Sequence, residues 1–347
     1  MKPNATLLTT VWLAAAILAL TTAAIAQADY FNAPGNIVIA DQFNNRVIEV
    51  NPKNNKVVWQ FGDGSSVAGP NSVVGVNDTQ RIGPFTLIAG TGIPPGGTPD
   101  CPNGCQDNRV FLIAENGDIL WQYGQAGVPG SGPDQLNTPV QNTFLPNGDI
   151  LITDQANQRV IQVNFYKQIV WQYGVTGTAG AGPNELNSPN SAELLANGHI
   201  LIADESNNRV IEVDRKHNIV WHYGSPKSTK LNGAAFASRL PNGDTLITDG
   251  GNNRVIEVTS AGTVVWTYYT NTRSGSVANP QPSRAVRLAN GNTLISDQFN
   301  DQVIEVNASG SIVFSQGQIG APGDGFNELN APYDAKVVGD YTGLTPP

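Results

Sequence analysis

Residues 41–50 read DQFNNRVIEV, and the same phrase returns as DQANQRVIQV at 154, DESNNRVIEV at 204, DGGNNRVIEV at 249 and DQFNDQVIEV at 297. A chain that rewrites one phrase at regular intervals is built from one supersecondary unit used repeatedly. The full unit is NGHILIADESNNRVIEVDRKHNIVWHYG (197–224), and it aligns with 35–62, 147–174, 242–269 and 290–317. A sixth copy is distorted: TLIAG (86–90), an insertion, then DNRVFLIAENGDILWQYG (107–124). The late aromatic of each copy falls at Trp59, Trp121, Trp171, Trp221, Trp266 and Phe314, in steps of 62, 50, 50, 45 and 48 residues.

Each unit predicts strands. ILIAD and RVIEV are rich in β-branched residues, and IVWHYG adds a third run carrying aromatics. A fourth run precedes each unit, such as NSAELL (190–195), and Asn-Gly joins it to the next. Asn-Gly marks a hairpin because both residues tolerate positive φ. The unit is therefore a four-stranded antiparallel meander, with strands a to d. Six such units arranged radially make an all-β, six-bladed β-propeller. The first unit lacks strand a, and the chain ends on an orphan strand a in LNAPYDAKVVGD (329–340). The C-terminal strand is thus expected to lie beside 36–41 and close the ring, leaving no free edge. A single domain over 29–347 follows, with a top-face insertion at Thr91–Asp107.

Residues 1–28 read as a secretory signal peptide: Lys2, the apolar run VWLAAAILAL (11–20), and small-residue cleavage sites after Ala26 or Ala28. A retained anchor is the alternative. Export implies a periplasmic or extracellular location and an oxidising compartment, where Cys101 and Cys105 form a disulfide. The chain carries 19 basic and 28 acidic residues, net −9, which argues against nucleic acid or anionic lipid as partner. No later segment is apolar enough to span a membrane.

The recurrent residues read as structure. The Asp closing strand b (Asp41, Asp154, Asp204, Asp249, Asp297) is expected to accept backbone N–H groups in the following turn. The Arg that follows (Arg46, Arg109, Arg159, Arg209, Arg254) is expected to pair with an Asp nearby and to cover a neighbouring blade with its stem. Gln302 and Phe314 in the last copy read as drift beside the closure seam, and Gly90 replaces the Asp at the root of the insertion.

The Gly-rich loop, Pro, inner strand and Asp-x-x-Asn-x-Arg order, seen in GAPGDGFNELNAPYDAKVV followed round the ring by GNIVIADQFNNRVIEV, resembles the NHL repeat. GSGPDQLNTP (130–139) and GAGPNELNSP (180–189) repeat it. The resemblance covers nearly all of the mature chain. It implies a six-bladed propeller used mainly as a binding platform, although a peptide-amidating lyase is among the family's enzymes. The phrasing is also similar to bacterial arylsulfotransferase propellers, which rely on histidine.

This chain has three histidines. His199 and His217 fall at the bottom face and His222 on an outer strand, so none reaches the top mouth, where loops converge. The informative positions are the starts of the inner strands, which give the candidate ligand-binding set Asn71, Gln141, Asn190, Phe236, Arg284, Tyr333 and Asp334. Glu193 and Lys336 lie one step deeper and read either as an ion pair across the channel or as solvated charges. The reading is a non-catalytic binding platform without cofactor, taking a small molecule or a peptide or protein at the top mouth. The alternative is an enzyme, a lyase or lactonase-like hydrolase, with a hard cation such as Ca2+ held by oxygen ligands. Asn71, Asn190, Glu193 and Asp334 are the weak candidates for that metal. A structural protein of the cell surface is the third reading.

Overall fold

In the computed structural model, which describes residues 30–340, the apolar runs become the middle strands of six four-stranded antiparallel sheets. The expected leader over 1–28 lies outside the described residues. Blade 4 shows the plan: strand a is Pro189–Leu194, b is Ile200–Asp204, c is Arg209–Val213 and d is Ile219–Gly224. Blades 2, 3, 5 and 6 repeat it, with inner strands Val76–Ile82, Pro139–Phe144, Ala234–Arg239 and Arg284–Arg287. Blade 1 has b at Ile37–Asp41, c at Arg46–Asn51 and d at Lys56–Phe61. Its inner strand is the C-terminal Pro332–Val337, paired antiparallel with Ile37 opposite Val337 and Ile39 opposite Ala335. The ring closes as the orphan strands required. Among the described residues no helix is long and apolar enough to cross a membrane.

Strand b is apolar without interruption because both of its faces are buried. Side chains alternate across a strand. Ile37 and Ile39 enter the cluster between blades 6 and 1, while Val38 and Ala40 enter the one between blades 1 and 2. Each of the other four seams holds its own cluster. The propeller therefore has no single core. Its stability is spread over the blade seams.

The repeated phrase organises the top of every seam. In blade 4, Asp204 ends strand b and a three-residue 3-10 turn follows. Asp204 Oδ2 accepts from Asn207 Nδ2 at 2.8 Å and Arg209 Nε at 2.6 Å, and Oδ1 accepts the backbone N–H of Asn187 at 2.7 Å. Burial pushes the Asp204 carboxyl up, and these donors pull it back. The expected backbone N–H groups of the turn are replaced by an Asn side chain and by the N–H that precedes strand a.

The second Asn of the phrase has a different role. Asn208 sits at φ 50° and its Oδ1 accepts the N–H of Gly233, in the approach to blade 5, at 2.8 Å. The same link recurs at every seam. Asn45 takes Gly75, Asn108 takes Thr138, Gln158 takes Ser188, Asn253 takes Gln281 and Asp301 takes Ala331. Asn and Asp tolerate the left-handed region better than most residues, which explains the polar residue that the phrase keeps at this place.

Two irregular copies preserve the ion pair by other means. At the insertion, a Cβ on Gly90 would meet the Asp107 carboxylate. Asp107 occupies the space of the missing Asp and pairs with Arg109. In blade 6, Arg273 reaches Asp297 and also donates to Gln302 Oε1 at 2.7 Å. Gln302 is therefore not simple drift, because a guanidinium from the preceding loop fills the position. Trp59, Trp121, Trp221 and Trp266 of the d strands donate into the next blade, as Trp221 Nε1 does to Ser260 O at 2.9 Å.

Two substitutions at one position separate the contributions of Asn208. Asn208→Gly keeps the left-handed backbone and loses the link, at a cost of about 1 kcal/mol. Asn208→Ala adds the left-handed penalty of about 1 kcal/mol more. Chemical denaturation of both variants checks the order, and equal stabilities for wild type and both variants would remove the link's role.

Candidate functional site

Six converging b–c turns and inner-strand starts leave a cavity of about 540 Å³ at the top mouth. Its walls come from three sources. The 3-10 turns supply Gln42, Phe43, Gln155, Glu205, Gln298 and Phe299. Inner strands supply Asn77, Asn190 and Tyr333. The insertion supplies Ile93 to Pro95 and Asn103 to Gln106. It is not a loose loop. Strands b and c of blade 2 run on into it, pairing Gly92 with Gln106 and Ile93 with Cys105. The Cys101–Cys105 disulfide closes its tip, and Cys101 is buried against Val74 and Ile93.

Arg284 forms the floor. Its guanidinium is buried, yet it touches five blades. Nη1 donates to Asn190 Oδ1 at 2.9 Å and to Ala235 O at 3.2 Å. Nη2 donates to Val140 O at 3.0 Å, and the group lies 4.9 Å from the Tyr333 ring centre and 5.2 Å from that of Phe236. The channel is thus plugged beneath the mouth. Asn190 Nδ2 donates to Tyr333 Oη at 2.8 Å and to Glu205 Oε2 at 2.9 Å, and Gln155 Nε2 reaches the same oxygen at 3.3 Å. Burial pushes the Glu205 carboxyl up, while the Asn190 hydrogen bond and the Arg284 charge pull it back. Across the mouth, Gln298 Nε2 donates to Gln42 Oε1 at 2.8 Å, and Gln42 Nε2 donates to Asn77 Oδ1 at 2.7 Å.

Of the expected residues, Asn190 and Tyr333 line the cavity, with Arg284 and Phe236 under it. Gln141 and Asp334 instead join blades. Gln141 Oε1 accepts the N–H of Ala192, and Asp334 Oδ2 accepts that of Thr79 at 3.1 Å. Asn71 was misplaced. Blade 2 starts its inner strand at Val76, past the additional turn 71–75, so Asn71 is exposed outside the strand and Asn77 takes the place opposite the mouth. Glu193 and Lys336 do not pair. Lys336 Nζ donates to Asp78 Oδ1 at 2.6 Å, to Asp334 and to Thr79 O at 2.9 Å. Glu193 Oε2 accepts the backbone N–H of Arg239 at 2.9 Å. The four weak metal candidates are therefore scattered, and the Lys336 ammonium already holds Asp334. Among the described residues no group of three or more His, Cys, Asp or Glu side chains is arranged to hold a metal ion.

The histidines stand away from the cavity. His199 bonds Glu212, and His217 packs edge-on against Trp171 and Tyr173. His222 belongs to the outer strand of blade 4. The sequence reading missed Gln42, Gln155, Glu205 and Gln298. Their signal was the second letter of the repeated phrase, which changes between Gln, Glu and Gly while the Asp before it and the Asn two places after it stay constant.

The sequence profile of the family described as outer membrane protein assembly factor BamB matches residues 106–321. No curated protein sequence matches the chain. Among solved structures, a protein of unknown function from Bacteroides caccae is similar with a TM-score of 0.57, at 14% identity over 82% of this chain and 93% of its own. A streptogramin B lyase gives 0.51 at 15% identity, covering 83% and 85% of the two chains. A catalytically inactive His-to-Ala variant of virginiamycin B lyase from Staphylococcus aureus, with quinupristin, gives 0.50 at 14% identity, covering 81% and 84%. At such identities the likeness is one of fold.

Glu193 provides a test of the channel's electrostatics. Burial pushes its carboxyl up to about 8, against the pull of the Arg239 N–H. The folded value lies above the unfolded one, so this group's stabilising contribution is full below about 4.5 and fades as pH rises towards 8. Glu193→Gln keeps an acceptor and cannot ionise. Its stability relative to wild type should grow by at least about 1 kcal/mol between pH 5 and pH 8 in urea titrations. Parallel curves would mean that Glu193 is not isolated from water.

Proposed function

The chain belongs to the family described as outer membrane protein assembly factor BamB, and on that footing we propose that it is an exported, NHL-like, non-catalytic binding platform whose ligand or partner sits in the top mouth. The observation that carries this reading is the makeup of the cavity wall. Amide side chains dominate it, and its one carboxylate, Glu205, is tied to Asn190 and Gln155 above a buried guanidinium. Groups so engaged can recognise by hydrogen bonding, but none stands as a nucleophile with a neighbouring base. In virginiamycin B lyase the loss of one histidine abolishes catalysis. None of this chain's three histidines lines the mouth, which weighs against a lyase of that kind. The disulfide agrees with export.

Thermal denaturation against a panel of uncharged, cationic and anionic small solutes and short peptides tests the proposal. A ligand at a hundred times its Kd should stabilise the protein by about 2.7 kcal/mol and be recovered chemically unchanged. The Glu205→Ala variant should lose that stabilisation. Consumption of any panel member by the purified protein, or a complete lack of stabilisation, would contradict it.

A further inference from the structure

We infer that the mouth recognises a compact, uncharged saccharide of one or two rings, a deepening that rests on the binding-platform reading above. Among the described residues no Lys or Arg lines the cavity, so phosphate, sulfate and carboxylate ligands would find no counter-charge. The single carboxylate, Glu205, has its Oε2 engaged by two amides, and the Arg284 charge lies close beneath it. That leaves little net field to select a cation.

Shape then separates ligand classes. An extended peptide strand needs an open-ended groove or a free sheet edge to satisfy its backbone. The inner strands offer no such edge at the mouth. Their N–H groups are already bonded across the seams, as in Asp78 Oδ2 with the Asn142 N–H at 2.9 Å and Ser191 Oγ with the Ala237 N–H at 3.2 Å. Arg284 shuts the channel below, bonded to carbonyls of blades 3 and 5. The result is a pit of about 540 Å³, within the range of sites that enclose small molecules.

The wall chemistry matches alternating hydroxyl and C–H faces. A hydroxyl both donates and accepts, and a carboxamide offers one group of each kind side by side. Gln155 beside Glu205 presents such groups on one side of the pit, and the Gln298–Gln42–Asn77 chain on the other. Between the amides stand apolar plates. Phe43 and Phe299 lie with ring centres 6.5 Å apart, and Pro94 and Pro95 of the stapled hairpin also line the cavity. These two Phe residues occupy the turn position held by Ala156, Ser206 and Gly251 in blades 3, 4 and 5. The turn aromatics are thus confined to the seam between blades 6 and 1, where they would stack on one face of a sugar ring whose edge hydroxyls meet the amides.

Isothermal titration of the whole mature protein tests this with glucose, maltose, cellobiose and N,N′-diacetylchitobiose, and with triglycine amide and inorganic phosphate as contrasts. At least one saccharide should bind saturably. Its affinity should fall tenfold or more in Phe299→Ala and in Gln155→Ala, and stay unchanged in Phe326→Ala, which alters an exposed Phe outside the cavity. Folding of each variant is checked by its far-ultraviolet spectrum and melting midpoint. Binding of triglycine amide alone would overturn the saccharide assignment while leaving the platform reading in place. Saturable phosphate binding alone would overturn it as well. Saccharide binding that ignores both cavity variants would place the sugar elsewhere and also overturn it.

Discussion

One buried carboxylate per blade holds the architecture at its top. Asp204 and its counterparts in blades 1, 3 and 5 end strand b, take an Asn amide and an Arg guanidinium, and accept an N–H from the approach to strand a. That arrangement fixes the 3-10 turn, and the turn puts the next residue into the left-handed region, from which its side chain reaches the neighbouring blade. A buried carboxylate without partners is costly. The same demand therefore recurs in each copy, and it is met even where the phrase is broken. Asp107 replaces the carboxylate missing at Gly90, and Arg273 replaces the guanidinium missing at Gln302.

Because identical turns solve identical packing problems, function is left to the positions where the blades differ. The residue after each Asp points into the mouth rather than into the seam, so it is free to vary. Gln42, Gln155, Glu205 and Gln298 make the upper wall from it. The floor comes from a single substitution of character. Arg284 stands where blade 3 has Gln141 and blade 4 has Ser191, and only a side chain of its length reaches Val140 O across the ring. The closure strand contributes Tyr333 to the same network, so ring closure and mouth geometry depend on each other.

The fold was legible because its signals are local and repeated. Asn-Gly turns, β-branched runs and an orphan strand at each end each imply the neighbouring element without knowledge of distant contacts. The site was half legible. Asn190, Tyr333 and Arg284 were readable as the variable starts of inner strands. Asn71 was not, because the Pro before it does not mark the strand start: an extra turn ahead of Val76 shifts the register. The Glu193–Lys336 pairing failed because a channel's angular order is a matter of three dimensions. Lys336 meets Asp78 of the adjacent blade, and Glu193 faces a backbone N–H of its own neighbour. Gln155 and Glu205 went unread because they sit inside a phrase whose constancy suggested that all of it was structural.

Amide hydrogen exchange followed by NMR tests the central claim, that a side chain from each turn locks the following blade. Gly75, Thr138, Ser188, Gly233, Gln281 and Ala331 all carry the donated N–H and all lie just outside or at the edge of the strands. These six amides are expected to exchange as slowly as those of strand b, through global opening. Exchange at the rate of the exposed Gly-rich loops in any seam would contradict it.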